Sequence, residues 1–344
     1  MPHLIFIPAT AAPEAGPDVA AQTALTLARL DERLRVERSS LGDSLVITVY
    51  LRRAADFPAM NDAYKQVWKA TPPTRTTVVV DPQAPGAQVE MSAVAVSAGT
   101  ERRVVHPSSW MASPNPYSYG LRSGDTLFLS GLIPRNGTDN IVVSGDVATQ
   151  TRAVLENAKQ LLEAAGLSFT HLVSARVFLP DLKDFAEMNR VYREYVPYER
   201  PARATVGAGL TSGAYKVEMT FVASAAPRTA IDADAEKSPN LSPAIRVDDT
   251  LFVSGMLADG EASTGDPGAQ TRDIVRKIDA VVAKAGFTRG DVRDLLVYVT
   301  DHEAAKAAAT ACRAAFGSAA ITTVKVGLAD TGARVEIMSL AQRG

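Results

Sequence analysis

The sequence predicts an α+β protein made of three tandem copies of one β-β-α-β-α-β-β unit, closed on themselves as an intramolecular pseudotrimer. Three observations carry this. First, residues 203–223, RATVGAGLTSGAYKVEMTFVA, hold two apolar, β-branched runs around a Gly/Ser-rich turn, the pattern of a hairpin. Arg203 opens the first run and Glu218 lies in the second. Second, the stretch recurs upstream from Arg75 as RTTVVVDPQAPGAQVEMSAV, and Arg75 and Glu90 are 15 residues apart, like Arg203 and Glu218. It recurs downstream as ITTVKVGLADTGARVEIMSLA, with Glu336 at the same interval but Ile321 where the arginine would stand. Third, a constant offset of 128 aligns the first two copies from Gln22/Gln150 to Glu90/Glu218 without a gap, pairing Phe57 with Phe185, Asn61 with Asn189 and Tyr64 with Tyr192.

Taken in order, residues 1–100 form repeat 1, which lacks the first strand of the unit. A strand is expected at Leu4–Ile7, then a helix from about Asp18 with Leu27, Leu30 and Leu34 on one stripe. A strand at Leu45–Tyr50, a helix around Phe57–Trp68 and the Arg75–Glu90 hairpin follow. Residues 101–112 read as a connector. Repeat 2, residues 113–226, is the most complete. It opens with a hairpin turning at Gly124–Asp125. Asp146 is the expected N-cap of the next helix, and Gly166 its end. The strand Val173–Leu179 and the helix Phe185–Tyr195 precede the Arg203 hairpin. Residues 227–240 read as a polar linker. Repeat 3, residues 241–344, is degenerate: its second helix is alanine-rich and its arginine is lost. Both helices of a unit are expected on one sheet face. The bare face must then be covered, and a ring in which each copy covers its neighbour achieves this. An open solenoid is the competing arrangement, but solenoid repeats are usually about 20–45 residues, and these units run to about 110.

Composition narrows the function classes. An apolar content of 46% and a charged content of 22% are those of a globular chain. The net charge of −2 gives no electrostatic reason for a nucleic-acid or anionic-membrane partner. No run approaches the roughly 20 apolar residues of a membrane span, and LIFIPA near the N-terminus reads as a strand rather than part of a leader. Cys312, the only cysteine, excludes an internal disulfide and suggests a reducing compartment, by default the cytoplasm. The four histidines show no metal-ligand spacing, and glycine-rich phosphate loops are missing from the sequence.

The motifs PYS (116–118), SGLIP (130–134), DFAEMN (184–189), RPARATV (200–206) and VEM (217–219) occur in that order through repeat 2. In this the chain resembles the RidA/YjgF family of reactive-intermediate deaminases. The resemblance implies a chorismate-mutase-like fold and clefts between neighbouring units. It also implies hydrolytic deamination of a small enamine or imine bearing a carboxylate, of the 2-aminoacrylate/2-iminopropanoate type. The partner is then a small-molecule carboxylate, no cofactor is needed, and the chain is a monomeric pseudotrimer whose further association is left open. A diverged hydrolase acting on another carboxylate, aminomuconate-like or chorismate-like, is one alternative. A non-catalytic metabolite-binding pseudotrimer is the other.

By the same resemblance Arg203 anchors the substrate carboxylate, a role that suits a permanently charged, two-point guanidinium fork. Glu218 orients or activates water, unless a backbone carbonyl does so. Ser130, as a donor, and Gly131, Tyr117, Asn189 and Thr205 line the cleft. Repeat 1 supplies a second candidate site from Arg75, Glu90, Asn61 and Thr77. The expectation is one good cleft using Arg203, a second using Arg75, and a third that is dead or altered.

Overall fold

The computed structural model describes residues 1–68, 71–232 and 238–344. Unit 1 comprises β1 (Ile5–Ala11), α1 (Val19–Val36), β2 (Ser44–Leu51), α2 (Phe57–Tyr64), β3 (Thr74–Val79) and β4 (Val89–Ala95). Unit 2 comprises β5 (Arg103–Val105), β6 (Gly120–Ser123), β7 (Thr126–Leu129), α3 (Val147–Ala164), β8 (Leu172–Leu179), α4 (Phe185–Tyr195), β9 (Ala202–Gly207) and β10 (Glu218–Ser224). Unit 3 comprises β11 (Arg228–Ile231), β12 (Ala244–Val247), β13 (Thr250–Met256), α5 (Pro267–Lys284), β14 (Val292–Val299), α6 (His302–Ala315), β15 (Ala320–Lys325), β16 (Gly327–Leu328) and β17 (Val335–Gln342).

Local chemistry sets the helix ends. Asp18, Asp146, Asp266 and Asp301 each cap a helix by accepting a backbone N–H through the side chain. Gly166 ends the turn after α3 at φ +73°, a conformation that costs glycine little. In each unit both helices pack on one face of the sheet. In unit 2, Val154, Leu155, Leu161 and Leu162 of α3 and Met188 and Val191 of α4 bury against Ala175, Val177, Met219 and Phe221 of the strands.

The structure corrects two expectations. Strands β9 and β10 do not form a hairpin, because β8 lies between them, parallel to β9 and antiparallel to β10. Strands β3 and β4 flank β2, and β15 and β17 flank β14, in the same way. The cause is the crossover helix. It returns the chain parallel to the strand just left, and the Gly/Ser-rich segment then carries it over the end of that strand to the other side. Moreover, the expected connector 101–112 contributes β5, and the expected linker contributes β11. Both extend a sheet edge by pairing with the next hairpin. Residues 233–237 of that linker lie outside the described residues.

One buried glutamine per unit holds each crossover segment. Gln150 Oε1 accepts the Lys216 N–H at 2.7 Å, and its Nε2 donates to the carbonyls of Ala214 (2.8 Å) and Val143 (3.0 Å). Gln22 does the same for Gln88 and Gly86, and Gln270 for Arg334 and Gly332. Gln150→Ala would leave three backbone groups without their partner, at about 1–3 kcal/mol for each that stays unpaired. The expected loss is about 3 kcal/mol in urea unfolding, and a change within error would show that the segment is held by other contacts.

The helix-free faces meet around a pseudo-threefold axis. Leu45, Leu121, Phe128, Ile245, Phe252 and Leu340 from all three units form one apolar cluster there; Tyr50, Phe178 and Tyr298 belong to another. Short antiparallel contacts join each unit to the next: Val79 with Gly209, Gly207 with Gly327, and Lys325 with Asp81. The ring closes where Leu4 N–H donates to Gln342 Oε1 (2.8 Å) and Ala9 N–H to Thr322 Oγ1 (3.0 Å). Three like units thus form an intramolecular pseudotrimer, as the sequence predicts. Among the described residues no helix is long and apolar enough to cross a membrane.

Candidate functional site

The arginine and the glutamate of one unit stand on opposite faces of their own sheet. Phe178 pairs with both Val206 and Glu218, so those two share the face turned to the axis. Arg203, an odd number of residues from Val206, points to the helix face. The same parity separates Arg75 from Glu90. Each cleft therefore takes its cation from one unit and its carboxylate from the next. Arg75 of unit 1 acts on Glu218 of unit 2, and Arg203 of unit 2 acts on Glu336 of unit 3. In the third junction Ile321 holds the arginine position.

The cleft between units 1 and 2 brings together Arg75, Thr77, Tyr117, Gly131 and Glu218, with Phe57, Arg135 and Tyr215, around a cavity of about 70 Å³. Its frame is backbone. The Arg75 N–H donates to Ser130 Oγ (2.9 Å), and its C=O accepts the Gly131 N–H (3.0 Å). Ser130 Oγ donates in turn to the Ser118 carbonyl at 2.7 Å. The hydroxyl proton of Ser130 is thus committed to the Ser118 carbonyl, and its oxygen to docking the arginine strand. Arg75 is buried, 4% exposed as a residue, and so is its guanidinium. It lies over the rings of Tyr64, Tyr117 and Phe57, at 4.9, 5.3 and 5.5 Å from their centroids. Its Nη1 is buried with no hydrogen-bond partner. Asn61, the neighbouring amide, donates instead to Asn115 Oδ1 at 2.9 Å.

Burial pushes the Glu218 carboxyl up to about 8, against the lowering pull of the Thr77 backbone amide and the guanidinia of Arg75 and Arg176. The carboxyl lies directly on Gly131: a Cβ there would stand 2.8 Å from Glu218 Cδ and closer still to Oε1. Gly131→Ala should therefore displace the acid. With an unchanged circular dichroism spectrum, the fall in stability from pH 5 to pH 9 that a buried, protonated acid causes should shrink in urea unfolding; an unchanged fall would mean that the carboxyl has not moved.

The second cleft is built differently. Arg203, 2% exposed, donates from Nη2 to Asn189 Oδ1 (2.7 Å) and lies over Tyr192 (4.6 Å), while its Nε and Nη1 are unpartnered. Its N–H docks on Ser254 Oγ at 2.8 Å. The Ser242 N–H reaches the Pro201 carbonyl just as the Ser118 N–H reaches that of Pro73. Leu241 therefore takes the place of Tyr117. Burial pushes Glu336 up to about 8, with Arg203 pulling it down. Thr205 is buried with its Oγ1 unpartnered. In the third junction Glu90 accepts the Ala84 N–H (2.7 Å). Asp81 is held by Arg52 (2.9 Å) and Lys325 (3.0 Å), with His302 at 3.5 Å.

Of the residues expected from sequence, Tyr117, Ser130, Gly131 and Glu218 thus gather around Arg75 and Thr77, with Asn61 alongside. Arg203, Asn189 and Thr205 form a separate buried group, and Glu90 stands at the third junction. Arg135 and Tyr215 were not anticipated. Arg135 Nε donates to the Tyr215 hydroxyl at 2.7 Å and Nη1 to the Asn140 carbonyl at 3.2 Å. Both come from loops: Arg135 precedes the aligned register, and Tyr215 lies within it opposite Ala87, so neither is a repeated residue. Among the described residues no cluster of His, Cys, Asp or Glu could hold a metal ion.

Three sheet-and-helix units joined in a ring, with arginine–glutamate clefts at two of the three seams, define the class. The chain belongs to the RidA/YjgF family: the family model described as Endoribonuclease L-PSP matches residues 7–97, 108–225 and 233–343. A RutC family protein of Pyrococcus horikoshii is 46% identical over 91 residues, covering 26% of this chain and 72% of that protein. The 3-aminoacrylate deaminase RutC of Acinetobacter baylyi is 34% identical over 122 residues, covering 36% of this chain and 97% of its own length. Among solved structures, the YjgF gene product of E. coli matches with a TM-score of 0.33 and 33% identity, over 36% of this chain and 98% of that one.

Proposed function

We propose that the cleft between units 1 and 2 hydrolytically deaminates a small carboxylate-bearing enamine or imine, of the 2-aminoacrylate/2-iminopropanoate type, to a 2-oxo acid and ammonia. One observation carries this reading. A buried guanidinium with an unpartnered nitrogen shares a small cavity with a carboxyl that is largely protonated at neutral pH. The name of the Acinetobacter relative is consistent with it.

In this reading Arg75 pairs two-point with the substrate carboxylate, and the rings around it keep competing water away. Glu218 gives its proton to the enamine CH2 carbon, which yields an iminium and leaves a carboxylate. That carboxylate takes a proton from water as the water oxygen bonds to the iminium carbon. Glu218 then returns the proton to nitrogen, the C–N bond breaks, and ammonia departs as the hydroxyl oxygen closes the C=O bond. The last hydroxyl proton restores the acid. The substrate is already an activated electrophile, so no redox step enters.

The test is to generate 2-aminoacrylate with a pyridoxal-phosphate-dependent lyase and to follow ammonia and pyruvate. Release faster than in buffer, by about a hundredfold or more at micromolar protein, is expected. Release at the buffer rate would sink the reading. A larger dicarboxylate is the second reading, favoured by Arg135, a second guanidinium lining the same cavity. A higher kcat/KM for an imine of a dicarboxylic acid than for iminopropanoate, lost in Arg135→Ala, would decide for it.

A further inference from the structure

A second cavity, of about 130 Å³, lies between the three helix-free sheet faces. Its walls include Phe6, Phe128, Phe252 and Leu296, from all three units, and Arg176 of β8 and Asp294 of β14 also line it. Both side chains keep part of their surface open. Among the described residues Asp294 accepts no hydrogen bond, and the one charge acting on it is Arg176, which stands beyond ion-pair contact. Arg176 likewise acts at a distance on Tyr50, Tyr298 and Glu218. Ser92, Ser174 and Thr322 add hydroxyls to the lining.

The charges are not a product of the repeat. Tyr50, Phe178 and Tyr298 face Glu90, Glu218 and Glu336, so Thr48, Arg176 and Leu296 are equivalent positions, as are Val46, Ser174 and Asp294. One unit supplies the cation and another the anion. A ring of identical chains would gather three arginines, or three aspartates, about the axis. Two opposite charges withdrawn from bulk water but held apart are each costly, and burial accordingly pushes the Asp294 carboxyl up to about 7 against the pull of Arg176. A ligand carrying the complementary pair would offset both at once.

We propose that this axial cavity binds a small α-amino acid as the zwitterion, its carboxylate on Arg176 and its ammonium on Asp294. The fork of Arg176 suits a carboxylate, the ammonium has three protons for Asp294 and the nearby hydroxyls, and the phenylalanine walls receive a short side chain. The site is separate from the Arg75 cleft and does not depend on the activity assigned there.

Isothermal titration of the full chain with glycine, L-alanine and L-serine tests it, with acetate and methylammonium as the two half-ligands. At least one amino acid should bind saturably at one per chain, and in Arg75→Met neither half-ligand should do so at a tenfold higher concentration. Arg176→Met and the near-isosteric Asp294→Asn should each weaken binding at least tenfold, while Arg75→Met leaves it unchanged. Circular dichroism reports folding, and Asp294→Asn alone decides if Arg176→Met does not fold. The proposal is overturned if none of the amino acids gives saturable heat, or if acetate binds equally well to Arg75→Met, in which the cleft has lost its carboxylate anchor. It is also overturned if binding is lost in Arg75→Met and kept in Asp294→Asn, because the ligand would then occupy the cleft.

Discussion

Arg75→Met is expected to lower kcat/KM for 2-aminoacrylate by about a thousandfold, whereas Arg203→Met leaves it within a few-fold of wild type. Removing one partner of a buried, charge-assisted contact costs about 2–5 kcal/mol, and about 4 kcal/mol corresponds to a thousandfold. The contrast follows from what surrounds each cation. Arg75 meets a tyrosine, a glycine and a carboxyl of the next unit at an open cavity. Arg203 is capped by Asn189 and faces a seam where leucine replaces the tyrosine. Steady-state kinetics on both variants, each checked for folding, decides the matter. Equal losses would mean that both clefts work, and a loss confined to Arg203→Met would move the anchor there.

Glu218→Gln is the second large effect. A positioned acid–base group contributes about 10²–10⁴-fold, so kcat should fall by that order. The wild-type rate should be flat below pH 8 and decline above it, because the carboxyl titrates at about 8 and its protonated form starts the cycle. Stability has a definite sign as well. The unfolded chain loses this proton near the ordinary value of 4.5, and the folded chain holds it to about 8. Between those limits the folded state binds more protons, so wild-type stability falls as pH rises. Glutamine removes that slope. Urea unfolding at pH 5 and pH 9 should show the variant gaining on wild type at the higher pH, and parallel curves would contradict a buried, protonated acid.

Much of the fold was legible because repetition is visible in sequence. The offset between Gln22/Gln150 and Glu90/Glu218, the Asp146 cap and the Gly166 stop all describe local structure, and local structure is written locally. The hairpin was misread because two β-branched runs around a glycine-rich turn look alike whether the strands pair directly or flank a third. Nothing near residues 208–217 shows that β8 will lie between. The cleft needed more still. Arg75 and Glu218 meet only through sheet parity together with the direction in which the ring closes. The motifs name the residue types well, yet they leave the partners to the assembled ring. Arg135 carried no signal, because its loop, residues 130–146, is longer than the matching loops 12–18 and 257–266 and lies outside the aligned register.

The division of each groove between successive units has a genetic consequence. In a ring of three identical chains, one codon is read three times, so a change that ruins a groove ruins all of them. Here every seam has its own codons. Ile321 can stand in place of an arginine, and Leu241 of a tyrosine, without touching the seam that keeps both, so a single chain leaves two grooves free to differ while the third stays whole.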